Sequence, residues 1–297
     1  MASNDNARGR LLETLRRNAF SRLAVMAAGL LVWLIGFRGF AMPALRGLGA
    51  PGSVPGDAAR IIGALIYAAG ALILYRALVG KIERRPSVEL ARRPGITFGL
   101  AGLAIGAALA CAAIGLMGVA GAAHLTGFGD ATRLIASFTA AMMAAVGEEL
   151  VFRGVLFRIL EQAFGTFAAL LASALLFGLA HIVNPDATLV SALAIAIEAG
   201  LLLGLAYVAT RNLWFPIGLH LAWNFGQGGI FSPGTGTEPH GLVRLAFTGP
   251  DWLAGGASGA EGSVVTVALC LAMATAFALI AFRRGEWKAL KLRLALD

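Results

Sequence analysis

Charge is what this chain has least of. Only 13% of its 297 residues are Asp, Glu, Lys or Arg, where a soluble domain carries roughly 25%. That shortage, with 58% apolar residues and a mean hydropathy of +0.79, excludes an ordinary water-soluble globule. Cysteine is nearly absent. Cys111 and Cys270 both fall in apolar runs, so there is no disulfide framework, and two thiols alone make no metal site. No internal repeat is evident, which leaves an inverted-repeat transporter without direct support. No HExxH motif occurs, so the usual helical zinc signature is missing. No small-x-small cleavage site follows the first apolar run, which is therefore read as an uncleaved span behind an amphipathic lead-in over residues 1–22.

Apolar runs of membrane-spanning length recur from end to end. They predict an all-α, polytopic transmembrane bundle of about eight spans, over 23–40, 61–78, 96–119, 134–160, 164–183, 189–210, 213–229 and 264–282. Of the 24 basic residues 21 are arginine, a composition that hints at a high-GC bacterium. They cluster before the first span (Arg8, Arg10, Arg16, Arg17, Arg22), after the second (Arg76, Lys81, Arg84, Arg85, Arg92, Arg93), after the sixth (Arg211) and after the last (Arg283, Arg284, Lys288, Lys291, Arg293). By the positive-inside rule both termini are cytoplasmic in a multi-pass cell (inner) membrane protein, and an even number of spans follows. The net charge of +8 is then topology, and nucleic acid is not expected as a partner. The Gly-, Pro- and Ser-rich loop 230–262 is expected to be mobile and to lie on the outer side, with the Pro/Gly-rich 43–55 link. Small residues at four-residue spacing ("GLAGLAIGAALACAAIG", "EAGLLLG") predict close helix packing.

Against this background a few polar residues stand out. "AAVGEELVFRGVLF" puts Glu148, Glu149 and Arg153 inside an apolar run, where each charge costs about 2.5–3.5 kcal/mol on insertion scales. Glu149 and Arg153 are four apart and can pair on one helix face, which leaves Glu148 free. "LLFGLAH" ends on His181, with Phe177 one turn back. "RNLWFPIGLHLAWNF" sets His220 and Asn224 one turn apart, behind Asn212 as a candidate N-cap and with Pro216 near the helix start. Trp214 and Trp223 read as packing or boundary residues. His124 and His240 fall in loops and read as ordinary surface residues, as does Asp186. An antiparallel turn near Gly165 would set Glu148 and His181 at equal depth, whereas His220, nine residues past Arg211, looks too shallow.

Collected around one wet cavity, these groups could hydrolyse a peptide bond. Glu148 would be the base, His181 would orient the water, and His220 with Asn224 would stabilise the oxyanion. The same atoms admit a second version, in which Glu148, His181 and His220 hold a divalent metal such as Zn with an open fourth position.

"EELVFR", "FGLAH" and "HLAWN", in that order, resemble the CAAX-prenyl-endopeptidase and bacteriocin-processing family of intramembrane proteases, also called CPBP or ABI. The resemblance covers about 134–225. It implies a membrane endopeptidase with Glu148 and His181 acting on water, His220 and Asn224 as the oxyanion pair, and Glu149 with Arg153 as a supporting ion pair. The family is often labelled metalloprotease, although its best-studied eukaryotic-type branch resembles a glutamate-dependent enzyme. Its substrates are proteins or peptides, lipidated or membrane-bound: eukaryotic-type members remove the last three residues of prenylated CaaX proteins. Bacterial relatives are linked to bacteriocin maturation, self-immunity and scaffolding. A catalytically inactive scaffold or immunity protein is thus the alternative, with a proton-coupled transporter third. The division expected is 1–133 as an N-terminal membrane region, 134–228 as the catalytic core, and 229–297 as outer loop, last span and basic tail. In relatives the position of Glu198 is usually apolar; here a carboxylate lies mid-span.

Overall fold

Seven helices of a computed structural model, which describes residues 18–184, 187–232 and 241–290, are long and apolar enough to cross a membrane. They are α1 (Ala19–Arg46), α2 (Val54–Glu83), α3 (Arg92–Val119), α4 (Leu134–Phe164), α5 (Thr166–Val183) and α6 (Leu189–Thr210), with α8 (Val264–Arg283) last. Between α6 and α8 lies the shorter α7 (Trp214–Phe225), prolonged by a π turn over Gly226–Ile230. The all-α polytopic bundle is therefore present, with α7 too short to count as a span by length. Arg8, Arg10, Arg16, Arg17, Asp186, His240, Lys291 and Arg293 lie outside the described residues.

Local signals fix the ends. Asn18, Ser53, Thr188 and Ser263 cap α1, α2, α6 and α8 through their side chains. Asn212 Oδ1 accepts from the Trp214 N–H at 3.0 Å and caps α7 as its sequence suggested. Gly165, at φ 89°, makes the reversal between α4 and α5, a backbone angle that side chains rarely adopt.

Glycine sets the closest helix contacts. A Cβ on Gly102 would lie 2.1 Å from the Phe215 carbonyl oxygen, and one on Gly106 would lie 2.3 Å from that of Leu219. Thus α3 and α7 touch backbone to backbone along the turn that carries His220. On the other flank a Cβ on Gly178 would meet the Ala192 carbonyl at 2.2 Å, which draws α5 onto α6.

Both ends of the described chain meet at one end of the bundle. Arg22 reaches Gln162 and Glu83; Glu83 also pairs with Arg158. Glu161 accepts from Arg211 at 2.7 Å and Lys288 at 2.8 Å, and the Thr166 N–H donates to the Lys288 carbonyl. Glu89 takes both terminal nitrogens of Arg85 at 2.8 Å and the Tyr75 hydroxyl. Burial raises the Glu89 carboxyl, but these bonds outweigh it and hold it below the usual range.

The opposite end carries a small sheet, ordered β1 (Ala123–Phe128), β3 (Val243–Phe247), β2 (Phe231–Ser232). β1 and β3 are antiparallel with a bulge between Leu125 and Gly127; β2 and β3 are parallel. Much of the expected outer loop is thus ordered structure. Its last part is a one-turn helix (Asp251–Ala254) and a 3₁₀ segment (Gly256–Gly262), tied down where Ser263 Oγ donates to the Leu253 carbonyl.

Candidate active site

Two wide turns shape the site. Just past Glu149 the helix α4 changes to π geometry over Leu150–Phe157, and α6 does so over Ala196–Leu201. A π turn takes one more residue per hydrogen-bonded ring than an α turn, so α4 rises somewhat less between Glu149 and Arg158. The apparent depth mismatch is absent from the structure. Arg211 bonds Glu161 near the end of α4, and nine residues on, His220 is level with Glu148.

The pair inferred from spacing forms. Arg153 Nη1 donates to Glu149 Oε1 at 2.8 Å, both side chains being buried. Arg153 Nη2 donates to the carbonyls of Ala199 (2.6 Å) and Gly200 (2.9 Å) inside the π turn of α6. Its guanidinium also lies 4.7 Å from the Phe177 ring centroid. Phe177 in turn packs against the His181 ring at 4.7 Å and Phe152 at 4.9 Å. Phe177 therefore links the buried cation to the imidazole one turn along α5.

Each histidine is turned by its Nδ1. In His181, Nδ1 lies 2.8 Å from the Phe177 carbonyl, which can only accept, so that nitrogen carries the proton. In His220, Nδ1 lies 2.9 Å from Glu149 Oε1, the oxygen already held by Arg153. Both Nε2 atoms are left facing one point. Glu148 Oε2 is 3.8 Å from His181 Nε2 and 3.9 Å from His220 Nε2, and it is buried with no hydrogen-bond partner of its own. Such gaps are too long for direct hydrogen bonds and suit a bridging water.

His181, His220 and Asn224 line a cavity of about 500 Å³. Glu148 itself borders a second hollow of about 140 Å³ on the far side, with Arg38, Tyr67 and Leu34. Glu148 thus stands in the partition between the two. Among the described residues no group of three or more His, Cys, Asp and Glu side chains is arranged to hold a metal ion. Tetrahedral zinc, with bonds of about 2.0–2.2 Å, brings its ligand atoms to roughly 3.4 Å of one another, closer than the 3.8 and 3.9 Å found here. The expected ligand set of Glu148, His181 and His220 is thus spaced more widely here than bound zinc would hold it.

Residues 130–226 match the family model for type II CAAX prenyl endopeptidase, Rce1-like. The chain carries an Rce1-like domain. The match takes in all three motifs and about a third of the chain, and it implies CAAX-type intramembrane protease activity. No curated protein and no solved structure matches the chain.

Beyond the motifs of the Rce1-like domain, two carboxylates share its cavity. Glu198 sits in the π turn of α6, only 4% exposed. Glu261 enters from the 3₁₀ segment and accepts from Trp223 Nε1 at 3.3 Å. Burial pushes the Glu261 carboxyl above its usual range, although the Trp223 bond and the two histidines pull the other way. Sequence reasoning singled out Glu198 but missed Glu261, which lies in "GASGAEG", a stretch with the composition of a loop. Its only signal is a single charge in a small-residue run next to a span. His124, on β1, bonds the Gly121 carbonyl, and Cys111 and Cys270 are free thiols.

Proposed function

We propose that this protein is an intramembrane endopeptidase in which Glu148 activates water. One observation carries the reading: Glu148 Oε2, buried and unpartnered, faces the Nε2 atoms of His181 and His220 across gaps of 3.8 and 3.9 Å. A water in that gap donates one proton toward Glu148 and is oriented by His181. As its oxygen bonds to the substrate carbonyl carbon, Glu148 takes the proton. The carbonyl oxygen becomes an oxyanion held by the Asn224 amide and by His220, which takes a proton from solvent at Nε2 before the attack and keeps it through the step. Collapse of the intermediate breaks the C–N bond, and Glu148 returns its proton to the leaving amine. Glu149 acts through His220 by fixing Nδ1–H, while Arg153 holds the same Glu149 oxygen in place. No step runs through a metal.

The substrate is a membrane-associated protein or peptide cleaved in CaaX-type or leader-peptide processing. Under the positive-inside rule the end of the bundle that carries Arg22, Arg85, Arg211 and Lys288 faces the cytoplasm, with the β-sheet outside. Three site groups on one cavity, with Glu148 facing two of them, favour an enzyme over a scaffold, which needs none of them. The deciding experiment compares peptide ends, by mass spectrometry of membrane and medium, between cells making the wild type and Glu148→Gln. Wild-type-dependent ends that vanish in the variant support the reading; identical sets overturn it.

A further inference from the structure

Among the described residues, the other carboxylates buried outside the Glu148 site are paired with Lys or Arg, and Glu198 is not. Glu149 is held by Arg153, Glu161 by Arg211 and Lys288, and Glu89 by Arg85. Glu198 is as deeply buried, yet its Oε1 has no hydrogen-bond partner and no Lys or Arg pairs with it among the described residues. A buried carboxylate left alone is costly, so either it stays neutral or a cation arrives to meet it. Glu198 lines the large cavity, and Glu261 lines it too, near enough to His181, His220 and Glu148 to sense their charges. The lining contains two carboxylates and no Lys or Arg. The Trp223 indole N–H fixes one oxygen of Glu261 and leaves its charge unmatched. Two carboxylates with no third ligand do not make a metal site. They do match an ammonium or guanidinium, which needs acceptors and tolerates varied geometry.

We propose that Glu198 and Glu261 form an acidic subsite that receives a basic side chain, Lys or Arg, next to the scissile bond. This rests on the endopeptidase reading, since it places the subsite in the cavity shared with His181, His220 and Asn224. Such a site rejects a neutral analogue because the buried acid is then left unmatched. The acid is also absent from the three motifs, so it would set preference and not chemistry.

The test uses the full-length protein in lipid nanodiscs. Internally quenched peptides carry either lysine or acetyl-lysine at each position around the cleaved bond. The wild type should favour lysine at one position by roughly tenfold or more in kcat/KM, and Glu198→Gln and Glu261→Gln should each bring that ratio toward one. Either variant suffices if the other fails to elute as a single species. Equal cleavage of the two peptides by the wild type, or an unchanged ratio in a folded variant, overturns the subsite. Binding of the same peptides to Glu148→Gln, read by fluorescence anisotropy, is independent of turnover. If no peptide is cleaved, the endopeptidase reading fails. The subsite then stands or falls on whether lysine peptides bind more tightly than acetylated ones and lose that margin when Glu198→Gln is added.

Discussion

His220 Nδ1 and Arg153 Nη1 converge on a single oxygen, Glu149 Oε1, at 2.9 and 2.8 Å. One buried carboxylate therefore orients the imidazole of α7 and neutralises the guanidinium of α4. The coupling explains why the two adjacent glutamates have separate tasks. Glu149 is engaged through Oε1, and Glu148 is kept free.

Replacing Glu149 with Gln should harm fold and turnover together. Removing one partner of a buried pair typically costs about 3–5 kcal/mol, and His220 loses its fixed Nδ1–H. Thermal unfolding in detergent should show a lowered Tm, and any remaining folded fraction should turn over more slowly at saturating peptide. A variant with unchanged Tm and kcat would contradict the shared-oxygen arrangement.

Glu148→Gln should behave differently. It keeps the shape and removes the base, so cleavage should fall by about 10²–10⁴-fold while Tm stays close to wild type. A loss of Tm matching that of Glu149→Gln would make Glu148 a structural residue.

Glycine packing predicts contrasting effects along one helix. Gly106→Leu places a side chain where the Leu219 carbonyl stands, whereas a Cβ on Gly115 meets nothing within 4 Å. Gly106→Leu should separate α3 from α7, displace His220 and abolish activity. Gly115→Leu should leave Tm and cleavage near wild type. Size-exclusion profiles and cleavage rates of the two variants check this.

Acid should weaken the basic end of the bundle. The Glu89 carboxyl is held below its ordinary value of 4.5. Its stabilisation is therefore present above that value and is lost as pH falls through the lowered one. Wild-type Tm should drop across that window, and Glu89→Gln should show a smaller pH dependence from a lower starting Tm.

Metal removal should leave the rate intact, because among the described residues no group of three His, Cys, Asp or Glu side chains is arranged to hold an ion. Protein stripped with chelator and checked by elemental analysis should cleave a validated peptide at the untreated rate. A loss restored by one divalent metal would replace the water with an ion.

Much of the site was legible because its grammar is local. Glu149 and Arg153 are four apart, as are Phe177 and His181, and His220 and Asn224, so each pair is set by helical periodicity. Span count and loop structure were less accessible. α7 reads as a crossing by hydropathy but has only 12 residues before its π continuation, and the sheet depends on β1 pairing with a strand more than a hundred residues away. The depth of His220 was misjudged because the sequence does not show that Arg211 meets Glu161 before the end of α4. Glu261 escaped notice because a long-range fold, not a neighbouring residue, brings it to Trp223.

Glu148 belongs to a dividing wall and not to the floor of a single basin. A carboxylate in that position has a front and a back. Solvent reaching it from the small hollow need not pass the peptide lodged in the large one. Leu34→Trp, which narrows the small hollow alone, should slow turnover without changing peptide binding if the attacking molecule and the chain to be cut arrive separately.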